Sequence, residues 1–455
     1  MKSTIDNLFS QIDGYRPDSA IPQNIANQQL SAVAFIKGNR FNFAKNEIWR
    51  DVDFSAFMNE ELVTPGSNET NPESNFTCNI PNLDTIKLTI CNGFFQACQP
   101  LQELENGVII GSLNAAMKKH PSLVEKIFGK AATRNNSFLA ANTTLFSDGI
   151  FVYVPDNVTI ERPLQMLEVI NSGAPLFLQT RNLVYLGKNS RLTLIHCDDS
   201  YNQNRSFSNI VTEIVLDRHA HLEHYKMQNL NDNSGLLNQT FVSMEDNSVL
   251  LSNSISLNGG NIRNHNEVRM NGEHCDTQVH GLYLMDKEQK IDNYVFVEHS
   301  KPNCESNELF KGILDDGATG HFNGHVLVCE GATKTLAYQS NKNILLTDKA
   351  TINTKPFLEI YNDDVKCSHG TTTGQLDEQM LFYIRSRGIS ERTAKTLLMY
   401  AFCDEVIQKI ALEPLRIRIS DMVKKRLHGE LSICENCALH CSSPDYHFSI
   451  DASKI

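Results

Sequence analysis

Cys367 and His369 stand two residues apart in the stretch DDVKCSHGTTTGQLDEQMLFYIRSRGI, Asp363 to Ile389. On an extended segment, positions i and i+2 share a face. A thiolate and an imidazole on one face are donors that suit zinc or an iron–sulfur cluster. Such a centre needs about four donors, so this pair must borrow the others from elsewhere in the chain or from another subunit. A buried thiol beside a structural histidine at the end of a β-segment is the other reading, and the residues alone leave both open. The tail carries a second constellation. Cys434, Cys437, His440 and Cys441 place four soft donors in one short turn, a set that suits zinc but lacks the distant second pair of a zinc finger. Thiols without a metal are the alternative there.

Other histidines carry less. His321 and His325 are i and i+4 in HFNGH. On a helix that spacing makes a metal pair, but on a strand the two sit roughly 13 Å apart, and this segment reads as strand. His219, His221 and His224 read as solvated or cross-coil side chains. The sequence contains no G-x-S-x-G and no G-x-x-x-x-G-K-[ST], so neither a nucleophile elbow nor a Walker A nucleotide site is expected.

The elements that must position Cys367 and His369 follow from periodicity. Asn24 to Ile36 and Leu113 to Phe128 repeat apolar residues at three- and four-residue steps, as helices do. Pro65 to Asn75 reads as a loop, and Gly149 to Pro155 opens the strand-rich part. From about residue 160 to 370 short alternating segments are separated by Gly, Asn and Asp turns. Small residues recur after the turns at Ser190, Ala220 and Ser248, and again at Ala318, Ala332 and Ala350. A repeat of this size without helices predicts a β-solenoid, whose coils stack about 4.8 Å apart and leave little room at the corners. A β-sandwich is the plainer alternative. The Asn-rich run Gln339 to Asn343 suits amide ladders between coils. After residue 375 the period becomes helical. Asp377 and Glu378 begin one helix and Gly388 stops it. Ser390 caps a second with an apolar face of Ala394, Leu397, Leu398, Ala401, Phe402 and Val406. Pro414 starts a third, ending near Gly429. The expected organisation is a helical and mixed region over 1–155, a β-helix core over 156–372, a helical domain over 373–430 and a Cys/His-containing tail over 431–455.

Composition sets the class. The chain has 455 residues, with 41 Lys and Arg against 53 Asp and Glu, a net charge of −12. That balance argues against nucleic acid or an anionic membrane as the main partner. No apolar run is long enough to span a bilayer, and the N-terminus lacks the apolar core of a secretory signal. Twelve scattered cysteines fit free thiols in a reducing compartment, so a cytoplasmic location is expected.

Long phrases in this chain resemble the SufB/SufD family of iron–sulfur cluster assembly scaffolds, on its SufD side. They are PNCESNELFKGIL (302–314), AYQSNKNILLTDKATINTKP (337–356) and the stretch 358–389 with the helix after it; NEIWRDVD (46–53) is a weaker echo. The CSHG form at Cys367 to Gly370 favours SufD over SufB, and Phe357 is a local departure where a polar residue is expected. The resemblance implies a right-handed parallel β-helix flanked by helical regions. It implies a non-catalytic scaffold that pairs with a SufB-like paralogue, docks a SufC-like ABC ATPase and takes part in acquiring iron. Cys367 and His369 would then face the paralogue and share a transient iron or cluster with it, while GTTTG joins that interface to the helices. Arg387, Gly388, Thr393, Leu397, Tyr400 and Phe402 are the expected ATPase-docking residues. Without the paralogue, a homodimer is expected. A secreted-type carbohydrate-active β-helix enzyme is the other class considered; the single Trp and the absent signal count against it.

Overall fold

The computed structural model describes residues 2–19, 21–41, 47–66, 78–134, 136–429 and 431. Two ten-stranded sheets face each other and form a parallel β-solenoid of about eight turns. Each turn contributes one strand to each sheet. One sheet runs through Arg191–Ser200, His221–Asn229, Val249–Asn258, Asp276–Met285, Glu305–Leu314 and Thr335–Leu345 to Val365–Gly374. The other runs through Leu176–Leu186, Ser206–Leu216, Ser234–Met244, Asn261–Met270, Lys290–His299 and Thr319–Val328 to Thr351–Ile360. Strands before residue 156 join as well: Ile86–Cys91 pairs parallel with Leu164–Ile170, and Ile150–Val154 with Leu176–Leu186.

The corners explain the sequence repeat. Asn189, His219, Asn247, His274, Asn303 and Lys334 all have φ between 54° and 61°, the left-handed conformation that Asn tolerates better than most residues. Each is followed by a small buried residue: Ser190, Ala220, Ser248, Cys275, Cys304 and Thr335. The small-residue column is therefore longer than Ala and Ser alone reveal, because Cys and Thr fill the same space. Ala318 and Ala350 line the opposite corner, so the closer spacing after residue 318 mixes two corners rather than shortening the repeat.

Alternation along the strands divides the apolar residues between the lumen and the outside. One core fills the lumen, from Leu88 and Leu164 to Leu314 and Phe322. The outer face of the first sheet packs on the C-terminal helices through Leu282, Ile313, Cys403 and Val406. The outer face of the second is covered by the N-terminal region through Trp49, Phe54, Phe57 and Phe207.

The helices depart from expectation in two places. Pro121 breaks the predicted Leu113–Phe128 helix into Leu113–Lys119 and Pro121–Ile127, since proline has no N–H to donate and fits only a first turn. In the helix Glu391–Ile407 the buried residues are Ala394, Met399, Cys403, Val406 and Ile407. Leu397 and Ala401 are exposed, so the buried stripe is rotated from the predicted face. Ser390 caps its helix and Gly429 ends the last one at φ 75°, as expected, whereas Asp377 stands at the N-cap just before Glu378–Ser386 and accepts backbone N–H groups. Among the described residues no helix is long and apolar enough to cross a membrane.

Candidate functional site

The last coil decides what Cys367 and His369 can do. Their strand, Val365–Gly374, pairs with Thr335–Leu345 so that Cys367 lies beside Ala337 and His369 beside Gln339. Ala337 and Gln339 are buried. Cys367 and His369 stand in the same register columns one coil further out, where, among the described residues, no following strand of the sheet covers them. Neither Val365–Gly374 nor the opposing Thr351–Ile360 has a buried residue. Among the described residues the pair therefore lies at an open mouth, on the terminal coil of the solenoid. Partial burial pushes the Cys367 thiol up, while a hydrogen bond with the Ala337 backbone opposes the shift. A metal ligand must be the thiolate, so capture of a cation there requires loss of this proton.

Beneath the mouth the lumen is polar. Gln339 donates to Glu308 Oε2 at 2.7 Å, and Glu308 lies one coil further in, beside Gln339. Burial pushes the Glu308 carboxyl up to about 8. A Cβ on Gly324 would stand 2.1 Å from Gln339 Nε2, so glycine there lets Gln339 cross the lumen. Asn343 donates to Asn341 at 2.7 Å, and Asn341 to the Tyr283 hydroxyl at 3.2 Å. The expected amide run is thus buried around Tyr283. Coil-to-coil ladders occur elsewhere: Asn264 donates to Asn293 at 3.1 Å and Gln239 to Asn209 at 3.0 Å.

The helices after the mouth present the predicted docking residues unevenly. Arg387, Gly388, Thr393 and Leu397 are exposed, with the Arg387 guanidinium on the Tyr383 hydroxyl at 3.0 Å. Tyr400 instead turns to Ser420 at 2.7 Å. Phe402 faces the solenoid, with the Lys311 ammonium 4.3 Å from its ring centroid. The exposed apolar residues here include Met380, Phe382 and Tyr383, on a helix with no buried residue. Cys434, Cys437, His440 and Cys441 lie outside the described residues.

Two histidine expectations resolve differently. His321 and His325 lie on the strand Thr319–Val328, and His325 meets Glu359 at 3.0 Å, so they form no shared site. His224 is not solvated but buried in the lumen, where its ring meets that of His196 on the neighbouring coil.

The family model described as SUF system FeS cluster assembly, SufBD core domain, matches residues 169–402, a span that contains the mouth and reaches into the helices. That described as SufBD protein N-terminal region matches 7–166. The chain belongs to the SufB/SufD family. It is 28% identical over 413 residues to an iron–sulfur cluster assembly SufBD family protein of Synechocystis sp., covering 88% of this chain and 91% of that one. It is 27% identical over 388 residues to the iron–sulfur cluster assembly protein SufD of Escherichia coli, covering 85% and 89%. It is 26% identical to SufD of Bacillus subtilis, covering 72% and 76%. The sequence reading missed Glu308 and Tyr283 inside the lumen. Their signal was alternation: both fall on inward positions, two residues from the inward apolar Phe310 and Met285 of their strands.

Proposed function

We propose that this chain is a SufD-type, non-catalytic scaffold that pairs with a SufB-like paralogue through its open last coil and docks a SufC-like ABC ATPase on its C-terminal helices. The observation that carries this reading is the mouth: two soft donors on the terminal strand of a sheet, Cys367 part-buried and His369 exposed, and short of a full coordination set. A second β-helix laid against Val365–Gly374 and Thr351–Ile360 would supply further donors and cover Phe357, Ile360 and Tyr361. Iron, or an iron–sulfur cluster in assembly, is then the cargo held between the two chains. ATP-driven closure of two ATPase subunits would pull on the helices and, through the GTTTG segment, shift the mouth. Metal occupancy of the tail is a separate proposal, with zinc the ion its four donors suit.

Native mass spectrometry of the chain co-expressed with SufB-like and SufC-like subunits from the same source tests the assembly. A stable complex containing all three supports the reading. A chain that stays alone overturns it. Within such a complex, unchanged cluster formation in His369→Ala would remove the mouth from the mechanism.

A further inference from the structure

At the other end of the lumen, six coils from the mouth and so roughly 29 Å away at about 4.8 Å per coil, lies a buried cluster with no part in the scaffold reading. Glu168, His196 and Asp198 come together with ligand atoms within 4.8 Å of one another. All three are buried, as are their neighbours Lys226 and His224. His196 Nε2 is 3.2 Å from Glu168 Oε1 and 3.6 Å from Asp198 Oδ1. The Lys226 ammonium stands 2.9 Å from both that nitrogen and Asp198 Oδ1.

These contacts conflict. An ammonium only donates, so Nε2 must accept from Lys226, and its lone pair then faces the Glu168 oxygen. If Nε2 instead carries the proton for Glu168, it confronts a second donor in Lys226. Either tautomer leaves one mismatched contact. Formal charge is unbalanced too, with two carboxylates against one ammonium. Asp198 Oδ2, His196 Nδ1 and both nitrogens of His224 have no hydrogen-bond partner among the described residues, although unpaired buried polar groups are costly. The His224 ring lies 5.9 Å from that of His196. Beside the cluster is a cavity of about 20 Å³ lined by Glu168, Asp198, Thr180 and Ser208 among apolar residues, room for one water.

A divalent cation resolves these features together. It accepts lone pairs from Nε2 and both carboxylates, balances their charge, and leaves the cavity for a water ligand. We propose that Glu168, His196 and Asp198 form a lumenal site for a divalent first-row transition metal, with His224 in reach as a further donor and Lys226 as the resident cation that the metal displaces. The donors are nitrogen and oxygen, so the ion is of the zinc, iron(II) or manganese(II) kind rather than one held by thiolates.

The test uses the full chain with Cys367, Cys434, Cys437 and Cys441 changed to Ser and His369 and His440 to Ala, which removes the donors of the mouth and tail. Cobalt(II) is the probe. One equivalent should bind with the absorption of a nitrogen–oxygen set and no thiolate charge transfer. Lys226→Met should bind about tenfold more tightly, and His196→Gln should lose the ion, within the range that metal-site changes produce. Should His196→Gln fail to fold, the affinity of Lys226→Met remains decisive. No cobalt uptake, a thiolate spectrum, or unchanged affinity in Lys226→Met would each overturn the proposal. None of these readouts depends on a SufB-like or SufC-like partner.

Discussion

Glu308 shows how the lumen couples to pH. Its carboxyl is held at about 8 against 4.5 for a free glutamate, because burial disfavours the charged form. The folded chain therefore holds that proton more tightly than the unfolded chain does. Its stabilising contribution is complete below about pH 4.5 and is lost as pH rises through 8. Glu308→Gln should flatten this slope, which is at most about 1.4 kcal/mol per pH unit, when denaturation is compared at pH 5 and pH 9. A steeper slope in the variant would contradict the assignment. Elsewhere a buried carboxylate is fully paired. Glu213 accepts N–H groups from Gly129, Ala131 and Ala132 at 2.8 to 3.1 Å and the Arg181 guanidinium at 2.5 Å. Glu213→Met should destabilise the fold by about 3–5 kcal/mol, because Arg181 keeps a buried charge with its carboxylate gone. Loss of less than 1 kcal/mol in a urea titration would mean that Arg181 finds other partners.

Elements were legible where one physical signal dominated. Caps and stops around Ser390 and Gly388 were readable because a side-chain acceptor and a left-handed glycine are local requirements. The coil repeat was readable because left-handed corners accept few residue types. The burial stripe of Glu391–Ile407 was not, because two surfaces, the solenoid and the last helix, compete for it. The mouth was visible as a pair of donors. The lumenal cluster was not, since Glu168, His196 and Lys226 meet only through coil register. On the helix Glu378–Ser386, Phe382 is 75% exposed and no residue is buried. Phe382→Asp should leave stability within about 0.5 kcal/mol yet weaken capture of the SufC-like subunit. A pull-down unaffected by this change would move the docking surface elsewhere.

At the scale of the molecule, the open end is the unusual feature. A solenoid stacks coils until something stops it, and exposed terminal strands invite pairing with another chain. Here Phe357 is 53% exposed on such a strand. The isolated chain should pair with itself through this end, and Phe357→Lys should shift it to monomer in sedimentation velocity. A dimer that survives the substitution would use another surface.

The N-terminal strap has a consequence for how the protein is made. Asp51 bonds to Lys355, Trp49 stacks on His265, and Phe57 on Phe207. Lys355 follows Asp51 by 304 residues. At about 5–20 residues per second on a ribosome, the strap waits roughly 15 to 60 s for its last partner. For about the first half of that interval neither Phe207 nor His265 has been made, so its aromatic rings have no solenoid face to cover them. A chaperone that shields the nascent N-terminus should therefore raise the yield of this chain more than one that acts after release.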